Sequence, residues 1–140
     1  MLTALKYCGA VVAGLVIAVA VISGGHWLGS LVYPAPPGLD FNNREAMAAY
    51  VAQMPLAGFL MVLASYAAAS LAGSALATWL GPGRGILAGI LVTAGLLGAG
   101  IMNFLSIPHP LWFALACVFS FVAFGAAGTC LAARGKALGA

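Results

Sequence analysis

Four apolar runs, each long enough to cross a lipid bilayer, constrain this chain more than any other feature of its sequence. They cover approximately residues 7–31, 55–80, 85–105 and 111–131. A helix needs about 20 apolar residues to cross a hydrocarbon layer of about 30 Å, and each run reaches that length. Only helices and closed barrels satisfy their backbone groups inside lipid. We therefore predict an all-α integral membrane protein, a four-helix bundle built from two antiparallel hairpins.

The composition leaves little room for a second, water-soluble domain. The chain has 140 residues, of which 64% are hydrophobic and only 5% are charged, whereas a typical soluble domain carries about 25% charged residues. Because the four runs occupy most of the length, we predict a single transmembrane domain over residues 1–140. Any binding or catalytic site would then lie inside the bundle or in its loops.

The few charges are scattered. The formal net charge is +3, but the basic residues form no stripe, so we predict no nucleic-acid partner. Lys6 precedes the first run and Arg84 lies between the second and the third. Arg134 and Lys136 follow the fourth, and only Arg44 falls elsewhere. Four crossings put the other four on one side, which the positive-inside rule assigns to the cytoplasm together with both termini.

The loop after the first run contains a shorter helix signal. Asn42 followed by Glu45 is typical of a capping box, which predicts a short amphipathic helix over about 43–53 near the outer interface. Its apolar side would consist of Met47, Tyr50, Val51 and Met54. A bend at Pro55 must follow, because one straight helix over residues 43–80 would be about 57 Å long, far more than the membrane is thick.

Small residues recur along the second and third runs. The rows are Ser65, Ala69, Gly73 and Ala77 in the second run, and Gly85, Gly89, Gly95 and Ala99 in the third. Rows of this kind let membrane helices approach closely. We interpret them as contacts inside the bundle, and a contact between copies in a homo-oligomer is the alternative.

Several chemistries lack the residues that they require. No carboxylate lies in the middle of a span, so a proton-coupled exporter of the small multidrug type would lack its acid. The cysteines, Cys8, Cys117 and Cys130, form no CxxC pair, and we interpret them as small buried residues. The sequence indicates no particular cofactor and no catalytic residue, so an enzymatic role is less expected than a binding role.

Polar side chains concentrate at one depth, on the outer side of the predicted bundle. His26 follows Lys6 by about 20 residues, a helical rise of about 30 Å. Asn103 follows Arg84 by about 19 residues, nearly the same rise. His109 precedes the fourth run on the same side. Because neighbouring helices lie about 8–10 Å apart, we predict that these three side chains lie within about 10 Å of one another.

This outer cluster is a candidate ligand site. Its candidate residues are His26, Tyr33, Asn103, His109 and Trp112. Imidazoles with a carboxylate suit several transition metals, so His26, His109 and Glu45 form a weaker metal candidate. The alternative is structural, with these groups bonded to the broken backbone near Pro34 and Pro108.

Several short motifs in the chain resemble those of a known group of proteins. They are Gly25-His26, Tyr33-Pro-x-Pro36, Gly38-Leu-Asp-Phe41, Met54-Pro55, Asn103 and Pro108-His-Pro-x-Trp112. In this combination the chain resembles a group of small four-span proteins of the bacterial inner membrane. The resemblance covers most of the chain and implies that location, but it implies no activity.

Three functional hypotheses follow. The first is a non-enzymatic binding or accessory subunit, with its polar site facing outward and with lipid or a larger membrane complex as its partner. The second is a small transporter or channel assembled as a homo-oligomer, because four helices rarely enclose a pore. The third, a metal-dependent membrane enzyme, depends only on His26, His109 and Glu45.

Overall fold

The computed structural model describes residues 2–138, and the regular structure in that range is entirely helical. The helices are α1 (Leu2–Val32), α2 (Arg44–Ala52), α3 (Leu56–Leu80), α4 (Ile86–Ser106) and α5 (Leu111–Leu138). All of them except the short α2 are long and apolar enough to cross a membrane. The structure therefore confirms the predicted all-α fold, a four-helix membrane bundle.

The outer surface of the bundle is apolar. In the most apolar 18-residue window of each long helix, only 17% to 33% of the residues are buried within the protein. Large side chains such as Val16 and Phe119 are 63% and 71% exposed. Soluble monomers rarely expose contiguous apolar patches above a few hundred Å². This surface is suited to lipid, as in a multi-pass membrane protein.

Helices α3 and α4 occupy the middle of the bundle. Helix α3 packs against α1, α4 and α5, and α4 also contacts α1 and α5. Short connections at 81–85 and 107–110 make α3, α4 and α5 successively antiparallel. The start of α1, the α3–α4 turn and the end of α5 therefore meet at one end of the bundle.

This end carries four cations and we call it the basic end; its members are Lys6, Arg84, Arg134 and Lys136. The hydroxyl of Tyr7 donates to the carbonyl of Pro82 at 3.5 Å, which joins α1 to the α3–α4 turn. Lys136 Nζ donates to the carbonyl oxygens of Gly81 at 2.6 Å and Thr78 at 3.3 Å. A cation is favourable there, because the last carbonyls of a helix carry partial negative charge.

Helices α1 and α3 approach each other closely at a pair of glycines. A Cβ atom built on Gly73 would lie 2.7 Å from the carbonyl oxygen of Gly14, and one built on Gly14 would lie 2.6 Å from that of Gly73. Each helix backbone therefore contacts the other without an intervening side chain.

The small-residue rows are used mainly inside the bundle. Ala69, Gly73 and Ala77 of α3 are buried, which confirms the interior interpretation for that row. On α4, Gly89 is buried whereas Gly95 and Ala99 are exposed. The second half of the α4 row is therefore exposed, although a Cβ atom at Gly95 would lie 3.5 Å from the side chain of Leu15 of α1.

The N-cap of α2 lies one residue later than predicted. Asn43 Oδ1 accepts hydrogen bonds from the backbone N–H groups of Glu45 and Ala46, at 3.0 and 3.1 Å. The predicted capping box between Asn42 and Glu45 is therefore wrong. The cap shifts to Asn43 because Asn42 belongs to the preceding turn, in which its backbone N–H donates to Asp40 Oδ1 at 2.9 Å.

Two further predictions have a divided outcome. Met47 and Val51 of α2 are buried and Tyr50 and Met54 are half-buried, which confirms the predicted apolar side of this helix. Of the three cysteines only Cys117 is buried, whereas the other two are exposed. The prediction of three buried thiols is wrong because α1 and α5 turn much of their surface outward.

Candidate functional site

A cavity lies opposite the basic end, where α1–α4 meet the α4–α5 loop. We call it the polar cavity; its volume is about 170 Å³. His26 of α1, Asn103 of α4 and His109 of the loop line it, and so do two tyrosines, Tyr50 of α2 and Tyr66 of α3. The structure thus brings together the three residues whose depth the sequence predicted.

The remaining walls of the polar cavity are apolar and aromatic. Helix α2 contributes Met47 and Val51, α3 contributes Phe59 and Tyr66, and α5 contributes Phe113. Phe113 and Phe59 are buried and pack against each other, with ring centroids 4.9 Å apart. The sequence does not reveal these residues, because nothing in it distinguishes a cavity-lining aromatic residue from others in an apolar run.

His26 faces the cavity rather than only the lipid. Its imidazole packs edge-on against the ring of Tyr66, with centroids 6.0 Å apart. The same side chain is largely exposed and also lines a second, outer cleft. His26 therefore lies where a molecule could reach it from the surface.

His109 is held in one orientation by its surroundings. Its Nδ1 atom lies 2.7 Å from the carbonyl oxygen of Ile107. Because a carbonyl only accepts, Nδ1 must carry the proton, and in the neutral ring Nε2 is then a hydrogen-bond acceptor. The ring also stacks on Phe113, with centroids 5.5 Å apart, and packs edge-on against Phe104 at 5.4 Å.

The other two polar residues have no such bond. The side-chain hydrogen bonds within residues 2–138 include one from His109 but none from His26 or Asn103. The structural interpretation expected Asn103 to bond a carbonyl near Pro34 or Pro108. Only the side chain of His109 makes a hydrogen bond to a backbone carbonyl of that region, that of Ile107. Asn103 is a half-buried residue, and its side-chain amide is free for a ligand or for water.

The outer cleft adjoins the polar cavity on the side of α1. Its volume is about 310 Å³, and it shares His26, Met47 and Met54 with the polar cavity. Tyr33 lines this cleft together with Phe41, and does not line the polar cavity. Tyr33 is therefore close to the candidate site but belongs to its outer part.

Trp112 and Glu45 lie outside the polar cavity. The indole of Trp112 packs edge-on against Phe59 at 5.4 Å and is 45% exposed, as expected of an aromatic residue at the membrane interface. Glu45 is exposed and lines neither cavity. Within residues 2–138 no three His, Cys, Asp or Glu side chains form a group that could hold a metal ion. His26, His109 and Glu45 are thus not assembled into a metal site.

Comparison of the chain with protein-family models, with curated proteins and with solved structures finds no match. The resemblance to small bacterial inner-membrane proteins therefore stays a prediction.

Proposed function

We propose that this chain is a non-enzymatic membrane protein, a binding or accessory subunit that holds a small amphipathic molecule in the polar cavity. One observation carries the proposal. His26, Asn103 and His109 line one cavity from three separate segments, and the side chains of His26 and Asn103 make no hydrogen bond within residues 2–138. A purely structural cluster would pair these groups with one another, with the backbone or with water at the interface.

The cavity walls indicate the chemistry of the ligand. Ligand sites typically combine apolar walls with a few polar groups that fix orientation. Here the polar groups include an acceptor at His109 Nε2, an amide at Asn103 that both donates and accepts, and the imidazole of His26. A ring or short chain bearing a hydroxyl or carbonyl group fits this set. The outer cleft gives room for the apolar remainder of such a molecule.

His26→Ala should separate binding from stability. Because His26 has no protein hydrogen bond within residues 2–138, we expect its loss to change the thermal midpoint little. We expect binding of 2-naphthol, an aromatic hydroxyl probe, to weaken about fivefold, the value of one hydrogen bond of about 1 kcal/mol. Fluorescence titration of the purified protein measures this, with naphthalene as the probe that lacks the hydroxyl.

The matched control is Ser23→Ala, since Ser23 is an exposed polar residue of the same helix and lines neither cavity. This variant should bind 2-naphthol like the unaltered chain. A His26→Ala protein that binds normally but loses about 1–3 kcal/mol of stability would assign the cluster a structural role instead.

A small oligomeric transporter or channel is the second candidate. The observation that favours it is the exposed part of the α4 row, Gly95 and Ala99, beside Gly98, whose added Cβ would meet nothing within 4 Å. Such a surface allows close packing of a second copy. Native mass spectrometry in mild detergent distinguishes the two, because the channel requires a defined oligomer and the binding subunit does not.

We propose that the protein resides in a bacterial inner membrane with its basic end in the cytoplasm. The support is the position of Lys6, Arg84, Arg134 and Lys136 at one end and the positive-inside rule. In a chain whose native cysteines are replaced by alanine, a cysteine at Asn43 should react with an impermeant thiol reagent added to spheroplasts. A cysteine at Gly83 should not react, and the reverse pattern would overturn the orientation.

A further inference from the structure

The basic end contains a second feature that the proposed function does not use, a groove between α4 and α5. The part of the groove beside the α3–α4 turn is a cavity of about 230 Å³ that both Arg84 and Arg134 line. The part farther from that turn is an apolar cavity of about 410 Å³ in the lipid-facing surface. The two parts share Ile86, Thr129 and Cys130, so they form one continuous groove.

Within residues 2–138 the two arginines have no acidic partner at this end. The only carboxylate side chains of the chain are Asp40 and Glu45, which belong to the loop and helix at the opposite end. Lys136, by contrast, is engaged with the carbonyls at the end of α3. Two guanidinium groups beside one cavity repel each other, and a phosphate between them would relieve that repulsion and accept bidentate hydrogen bonds.

The apolar part of the groove has the dimensions of a lipid chain in one leaflet. On α4 it extends from Ile86 to Leu97, a rise of about 16 Å. Half of a hydrocarbon layer of about 30 Å is about 15 Å deep. Ala94 of α4 and Ala126 of α5 are small exposed residues that line it, together with the larger Ile90 and Val122. A groove of this shape accepts one extended acyl chain.

The turn that carries Arg84 is held in place before any lipid binds. The backbone N–H of Gly85 donates to the carbonyl of Pro82 at 2.9 Å, and Lys136 donates to the carbonyl of Gly81. Gly85 has φ +67°, and a Cβ atom there would contact the backbone of Thr78. Arg84 therefore projects from a fixed turn, which lowers the entropy cost of binding.

We propose that the α4–α5 groove binds one anionic phospholipid, with its phosphate between Arg84 and Arg134 and one acyl chain along α4 and α5. Basic pockets between membrane helices suit anionic head groups, and each cation near such a head group is worth about fivefold in affinity. The site lies at the basic end and is independent of the ligand proposed for the polar cavity. It holds for either orientation of the protein in the membrane.

Native mass spectrometry of the full chain with added lipid tests this site. At equal concentration, phosphatidylglycerol should be retained at least about fivefold more than phosphatidylcholine with the same acyl chains. The double variant Arg84→Gln/Arg134→Gln should lose this preference. Lys6→Gln and Arg44→Gln remove the same kind of charge outside the groove and should keep it. Equal retention of the two lipids by the unaltered chain, or an equal loss in the control variants, would overturn the proposal.

Two further arms separate the head group from the chain. Ala126→Phe should fill the groove and lower retention of phosphatidylglycerol, whereas Ala127→Phe, at an exposed position of α5 outside the groove, should not. Inorganic phosphate should not displace the lipid, and displacement would mean an anion site without a lipid. His26→Ala should retain the lipid normally, so failure at the polar cavity and failure here are distinguishable.

Discussion

Gly73→Leu should lower the free energy of unfolding of the bundle by about 3 kcal/mol, at the upper end of what overpacking a core costs. The reason is the contact between α1 and α3. A Cβ atom at Gly73 would lie 2.7 Å from the carbonyl oxygen of Gly14 and 2.9 Å from the Cβ of Ala18. A backbone atom cannot move aside as a flexible side chain can. The two helices would have to separate and lose contacts along their length.

The thermal midpoint of the purified protein in mild detergent measures this effect. Gly98→Leu and Gly24→Leu are matched controls, because both glycines lie in long helices and a Cβ at either would meet nothing within 4 Å. Both controls should unfold near the temperature of the unaltered chain. A Gly73→Leu protein as stable as these controls would mean that α1 and α3 do not cross at this glycine.

Gly85→Ala should lower the free energy of unfolding by about 2–3 kcal/mol, the second largest effect that we expect. Gly85 has φ +67°, a conformation that costs an alanine about 1–2 kcal/mol. The added Cβ would also contact the carbonyl group of Thr78, the same carbonyl that accepts a hydrogen bond from Lys136. Backbone strain and steric contact therefore act together at the start of α4.

Gly83→Ala separates these two contributions. Gly83 has φ +56° in the same turn, but a Cβ there would meet nothing within 4 Å. Its substitution should therefore show only the backbone cost, about 1–2 kcal/mol. Equal destabilisation by the two changes, read from thermal midpoints, would show that the contact with Thr78 contributes nothing.

The spans were predictable because the length and polarity of a membrane helix are dictated by the bilayer. The predicted bounds for α3 and α4 differ from the observed ones by no more than a single residue at either end. Helix α1 begins earlier than predicted, at Leu2, and α5 continues to Leu138. Lys6 and Arg134 interrupt an apolar run without interrupting a helix, since both are good helix formers. Hydropathy therefore predicts the membrane-spanning part of a helix but not the residues at which the helix begins and ends.

The polar part of the candidate site was predictable for a similar reason. Helical rise fixes depth, so counting residues from Lys6 and from Arg84 placed His26 and Asn103 at the same level. Rise does not fix which face of a helix points inward. The roles of Tyr66 and Phe59 in the cavity depend on the rotation of α3 within the bundle, which its evenly apolar sequence does not reveal.

The α4–α5 groove was not predictable at all. It requires that Ala94 and Ala126 line one cavity from two neighbouring helices while Arg84 and Arg134 line another at its end. Those positions are far apart in sequence, and small residues in membrane helices predict close packing as readily as a groove. Only the observed pairing of α4 with α5 distinguishes the two outcomes.

The chain has two histidines, and both line the polar cavity, which permits a direct test of the account. Nitrogen NMR of protein labelled only at histidine should show two imidazoles, with His109 in the Nδ1-protonated form when neutral. On titration with 2-naphthol, both should shift with one common midpoint, and naphthalene should act more weakly. Shifts confined to one histidine, or separate midpoints, would contradict a single binding cavity formed by His26, Asn103 and His109.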